Sequence, residues 1–190
     1  METVNKELTP ERSLAIINET LESSRRDIIA GSGKYYIVWG GLLCFFSVMI
    51  WVAWHLTGNA SWNLLWFAMW PVGLGVSRLV GKGVRIPKNF VSALLGRIWG
   101  AFGIFAAVTS ALALIAFPMN ITLVIILLFG FAETVTGIAL KSWPMIVAGA
   151  VVGIGGACAA VTLAGPGQMF LFTGAAVVLA LTGVAIQIRK

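Results

Sequence analysis

A chain of 190 residues that is 59% hydrophobic and only 11% charged cannot be a free soluble domain, because a small domain leaves too much surface in water to hide that much apolar area. Disorder is excluded too, since it needs few apolar residues and many charges. The net charge of +6 does not point to nucleic acid: the bases flank apolar segments, so the partner implied is the lipid bilayer.

Residues 1–33 carry six acids and four bases, whereas residues 34–190 carry nine bases and a single acid, Glu133. The first segment begins a helix at Thr9-Pro10-Glu11-Arg12. Thr9 is a capping residue, proline suits the first helical position, and glutamate complements the helix dipole. Leu14, Ile17, Leu21 and Ile28 follow at helical spacing, and Glu22 is placed to pair with Arg26. Too charged to span lipid, residues 1–33 are expected to form an amphipathic cytoplasmic helix closed by a Gly31-Ser32-Gly33 hinge.

Residues 34–190 form an all-α transmembrane domain in this reading. Six apolar segments follow one another, at about 35–56, 62–80, 91–117, 121–140, 144–164 and 169–188. Each is near the 20 or so residues needed to cross about 30 Å of hydrocarbon. Backbone polar groups in lipid must be satisfied internally, so the segments must be helices. Pro71 is expected to kink the second.

The connections 57–61, 117–120 and 165–168 contain no lysine or arginine. The opposite side collects Arg25, Arg26, Lys34, Arg78, Lys82, Arg85, Lys88, Lys141, Arg189 and Lys190. The bias toward positive charge on the inner side puts both termini in the cytoplasm. Lys82, Arg85 and Lys88 then form a basic cytoplasmic loop suited to anionic lipid headgroups, or to the acidic N-terminal helix closing on it as a lid.

The six segments make three hairpins with a pseudo-threefold repeat. Gly40-Gly41, Gly100 with Gly103, and Gly149 with Gly153 open the three units; Gly75, Gly137 and Gly183 come 34 to 37 residues later. Ser92, Gly96 and Gly100 form two small-xxx-small steps, and Gly149 and Gly153 form one. Such steps let helix backbones approach in lipid, within one chain or in a homo-oligomer.

Gly100-Ala-Phe-Gly103 leading to Pro118, Gly130 and Gly137, and Gly149 through Gly156 leading to Pro166, Gly174 and Gly183, resemble the hairpin repeat of HdeD-like acid-resistance membrane proteins over about residues 96–190. The resemblance implies a bacterial inner-membrane protein of six spans. It also implies a stress-related role, which no residue here carries.

Glu133 is the candidate intramembrane polar site. It lies about 18 Å along a helix that runs inward from Ile121. A charge at that depth costs about 2.5–3.5 kcal/mol on insertion scales and calls for a partner. Arg97 is the first candidate and Arg78 the second, in which case a buried pair fixes helix register. Alternatively Glu133 binds a cation or carries a proton, with Thr134 and Thr136 as polar neighbours, or it is neutral and simply hydrogen-bonds. His55, the single histidine, sits at the outer end of the first span. It is an interfacial polar residue or an outer pH-sensitive group.

Enzymatic chemistry lacks its residues. No second carboxylate accompanies Glu133, no phosphate-binding glycine loop appears, and no serine has a base with an orienting acid. Cys44 and Cys158 lie in separate apolar runs and suggest no disulfide or metal site, so no cofactor is expected. The expectation is a multi-pass membrane protein without enzymatic activity, with a structural or stress-related role. Two alternatives stand beside it: a small channel or proton-coupled carrier using Glu133, and a membrane sensor that signals to a cytoplasmic protein through its N-terminal helix.

Overall fold

The computed structural model describes residues 9–81, 89–116 and 118–188. The described residues form helices and connecting turns, with no strand among them. Helix α1 (Pro10–Thr57) begins at a Thr9 cap whose hydroxyl accepts the Arg12 backbone N–H. It ends at Gly58, whose φ of +66° is the left-handed conformation that suits glycine at a helix terminus. A 3₁₀ segment (Ala60–Leu64) leads into α2 (Leu65–Val80). Helix α3 (Phe90–Ile115) opens with a reciprocal Asn89–Ser92 capping box. Helix α4 (Ile121–Leu140) is followed by α5 (Trp143–Thr162), which contains a π-helical turn at Val151–Gly155. A 3₁₀ turn at Gly165–Gln168 precedes α6 (Met169–Ile188).

This is the helix inventory of a membrane protein. Among the described residues, α1, α3, α4, α5 and the segment Gly165–Ile188 are long and apolar enough to cross a bilayer. The expected second span is shorter as an α-helix than 62–80, because its first turn is 3₁₀. Pro71 lies inside α2, which continues past it to Val80.

The largest departure from expectation is at Gly31-Ser32-Gly33, which is helical and is no hinge: α1 runs through it without interruption for 48 residues. Glycine weakens a helix by about 1 kcal/mol, but tertiary contact decides here. A Cβ at Gly33 would come within 3.0 Å of the Gly183 carbonyl oxygen, and one at Gly40 within 2.9 Å of the Ala176 carbonyl oxygen. These glycines let α1 and α6 pack backbone to backbone, antiparallel, over much of their length.

A second close pairing joins α4 and α5. Gly130 and Gly153 meet backbone to backbone, and a Cβ at Gly149 would lie 2.5 Å from both the backbone nitrogen and the hydroxyl of Thr134. The π turn carries Gly153 into this contact. Gly149 and Gly153 therefore pack within the chain. Gly96 and Gly100 do not: a Cβ on either would meet nothing within 4 Å, and Ser92 is used in the capping box. The reason is helical phase. Helix α3 presents Trp99 and Phe102 to Phe129 of α4 and Gly103 to Trp70 of α2, and the face bearing Gly96 and Gly100 is left open. The glycines of the expected repeat have unequal surroundings. Gly40, Gly149, Gly137 and Gly183 are tightly packed, whereas Gly41, Gly75 and Gly100 are open.

Two apolar clusters result. The larger includes Leu43, Ile50, Ile126, Val152, Phe172 and Leu179 at the centre of the bundle. The smaller gathers Ile28, Val91, Leu140, Met145 and Ile186, with Leu21 and Ile29 against it, at the end where Lys141 lies. The first part of α1 is thus anchored on the helix ends from about Leu21 onward, and only its first three turns stand free.

Candidate functional site

The buried face of α4 follows helical phase through Ile126, Gly130, Glu133, Gly137 and Leu140, which turns the single acid of the apolar region inward. Glu133 is 1% exposed. Its Oε1 accepts a hydrogen bond from the Tyr36 hydroxyl of α1 at 2.7 Å. Its Oε2 is buried with no hydrogen-bond partner. Thr134 and Thr136 lie beside it in sequence, but their hydroxyls donate to the Gly130 and Ala132 carbonyls of their own helix, the usual fate of threonine within a helix.

Neither expected cation reaches Glu133. Arg97 and Arg78 are both exposed, and the ion pairs among the described residues involve Glu22 alone. Two residues along a helix rotate a side chain by about 200°, so with Trp99 facing α4, Arg97 faces away. The partner is Tyr36, which the sequence reading passed over. The available signal was that the chain has two tyrosines, adjacent at 35 and 36, where the charged stretch ends at Lys34.

A polar clasp fastens the same pair of helices nearer the Lys141 end. Glu22 accepts from Arg25 Nη1 at 2.8 Å and from Lys141 Nζ at 2.5 Å, and Arg25 Nε donates to the Ala139 carbonyl at 3.1 Å. The expected Glu22–Arg26 pair is replaced by this arrangement, because Arg25 is the arginine on the side facing α4. The Lys141 hydrogen bond is the main influence holding the Glu22 carboxyl below the usual carboxylate value. Lys141 caps α4 at a φ of +52°, a left-handed position where glycine is the common occupant. A lysine there accepts backbone strain and puts an ammonium at Glu22.

His55 is exposed near the C-terminus of α1 and stacks on Trp51, ring centroids 5.6 Å apart. At that end Thr122 donates to Gln168 Oε1 at 2.7 Å, and Asn120 Nδ2 donates to the Ala160 carbonyl at 2.8 Å, joining the two loops. Lys82, Arg85 and Lys88 lie outside the described residues, so the expected closing of the acidic helix on that loop is outside them as well. What the described residues do have is Glu22 docked on Lys141.

The arrangement holds no group of three or more histidine, cysteine or acidic residues able to bind a metal among the described residues. It offers one buried carboxyl with a free oxygen, connected through Tyr36 to a long helix. No family model, curated protein or solved structure matches the chain.

Proposed function

We propose that the chain is a multi-pass inner-membrane protein with both termini in the cytoplasm, acting as a sensor or anchor that presents the free end of α1 to a cytoplasmic protein, without catalysing a reaction. The carrying observation is the unbroken α1. One helical rod joins the buried Tyr36–Glu133 contact to an exposed apolar surface at Leu14, Ile16 and Ile17, of which Leu14 is 61% and Ile17 54% exposed. Forty-eight residues at about 1.5 Å each make a rod of roughly 72 Å, more than twice the hydrocarbon thickness.

Six crossings in three hairpins complete the proposal. The 3₁₀ segment Ala60–Leu64 and α2 together reach about 34 Å, at roughly 2.0 and 1.5 Å per residue, enough for the sixth span. The lysine-free and arginine-free turns at one end, against Arg25, Arg26, Lys34, Arg78 and Lys141 at the other, support the orientation. Residues 1–22 carry five acids and two bases, so anionic headgroups repel the free end of α1. A protein with an apolar groove and basic rim suits it better than the lipid surface.

The test is photocrosslinking in cells, from single positions on full-length protein. Probes at Leu14 and Ile17 are expected to trap one discrete protein adduct, and a probe at Asn18 none. Lipid adducts alone, or no adduct from either apolar position, would refute the reading.

A further inference from the structure

The Oε2 atom of Glu133 is the one carboxylate oxygen in the apolar bundle left without a partner. It is buried, on a side chain that is 1% exposed. An ionised carboxylate in this position has a single hydrogen bond to answer its charge, and a lone charge in a lipid-surrounded interior is costly. Three kinds of group can answer it: a side-chain cation, a metal ion or a proton.

Among the described residues the side-chain cations are elsewhere. Arg97 faces away on α3, Arg78 on α2 and Arg26 and Lys34 on α1 are exposed, and Lys141 and Arg25 are engaged with Glu22. Helix α6 offers no titratable side chain, and α5 offers only Cys158, which is exposed toward the opposite end. From α1 the titratable group facing Glu133 is Tyr36, which already donates to Oε1. A metal ion fares no better. Hard cations take about six or more oxygen ligands, whereas among the described residues the side-chain oxygen hydrogen-bonded to Glu133 is the Tyr36 hydroxyl, and no second acidic, histidine or cysteine ligand joins it there. A proton needs one lone pair, and Oε2 has it.

We propose that Glu133 is a reversible proton-binding site: Oε2 takes one proton from water to give the neutral carboxyl and returns it to water, while Tyr36 Oη remains the donor to Oε1. No other bond forms or breaks. The site lies about 12 Å along α4 from Lys141, so the water that exchanges the proton is nearer that end. A neutral acceptor makes a weaker hydrogen bond than an ionised one. Proton occupancy therefore tightens or loosens the Tyr36 contact on α1. The assignment stands on the geometry of Glu133 alone and does not depend on what the free end of α1 binds.

The experiment uses full-length protein in lipid nanodiscs, titrated from about pH 5 to about pH 9 across the range where shifted carboxyls respond. Infrared difference spectra follow the C=O stretch of a protonated carboxylic acid. An apolar carbodiimide, which couples to neutral carboxyls within lipid, is mapped by peptide mass. The expected result is a single buried carboxyl band that titrates, is absent from Glu133→Gln and shifts in frequency in Tyr36→Phe. Carbodiimide coupling at Glu133 should fall about tenfold per pH unit above the midpoint. The mapping needs only the unmodified chain, so failure of a variant to fold leaves the test intact. A pH-invariant band or coupling yield overturns the proposal in favour of a fixed hydrogen-bonding role. Suppression of coupling by sodium at constant pH, with choline inert, overturns it in favour of a metal ion.

Discussion

Glu133 and Tyr36 show how one hydrogen bond becomes decisive when water is absent. Tyr36→Phe deletes the donor and leaves both carboxylate oxygens of a buried group unmatched, which costs about 1–3 kcal/mol. Glu133→Gln keeps an acceptor of the same shape for Tyr36 and should cost less than half as much. Denaturant titration of both variants in the same detergent checks this; equal losses would mean that the Tyr36 bond has no particular weight. Glu22 acts in the opposite setting, at the surface. Its carboxyl is held below the usual value chiefly by the Lys141 hydrogen bond. A depressed carboxylate stabilises fully above its unfolded value and loses that contribution as the pH falls through the folded one. The difference in thermal stability between the unmodified chain and Glu22→Gln is therefore present at neutral pH and is lost as the pH falls through and below the ordinary carboxylate range. A difference that persists at low pH would assign the clasp to packing.

At the scale of the element, α1 sets the character of the molecule. Spin labels at Thr20 and Gly41, both exposed, are separated by about 32 Å along an unbroken helix at 1.5 Å per residue. Electron–electron distance measurement should give one narrow peak near that value, whereas a hinge at Gly31-Ser32-Gly33 would give a broad, shorter distribution. The α4–α5 pairing depends on glycine in a different sense. Gly130→Leu drives a side chain into the Gly153 backbone, and overpacking of this kind costs about 1–3 kcal/mol or more. Gly96→Leu, on the open face of α3, should be neutral to slightly stabilising, because leucine is the better helix former. Unfolding midpoints of the two variants test the contrast, and a Gly96→Leu loss as large as that of Gly130→Leu would show that α3 packs on another chain.

At the scale of the whole molecule, the apolar helices make a bundle in which the tightest antiparallel pairs are α1 with α6 and α4 with α5. The first and last helices close on each other, and Ser47 of α1 and Thr173 of α6 share a hydrogen bond at 2.9 Å in that seam. On the proposed orientation, single cysteines placed at Asn59 and Gly165 in a chain lacking Cys44 and Cys158 react with an impermeant maleimide on intact cells. Cysteines at Ser13 and Lys141 react only after permeabilisation. Labelling at Lys141 from outside would invert the topology.

The all-helical class was legible in the residues because composition fixes the solvent, and lipid permits few backbone solutions. Thr9-Pro10 marked the start of α1, the apolar segment at about 121–140 gave the bounds of α4, and the inward Glu133 followed from the cost of exposing a charge to hydrocarbon. Local patterns could not supply contacts between residues far apart in sequence. Glycines at 31, 33, 96, 100, 149 and 153 look alike on paper. Which of them continues a helix, packs a seam or stays open is decided by what another helix places against it. The same holds for the partner of Glu133. Sequence dictated that a buried acid should have one; three-dimensional packing, by turning Arg97 away and bringing Tyr36 across from a helix 97 residues distant in the chain, chose a hydroxyl instead of a cation.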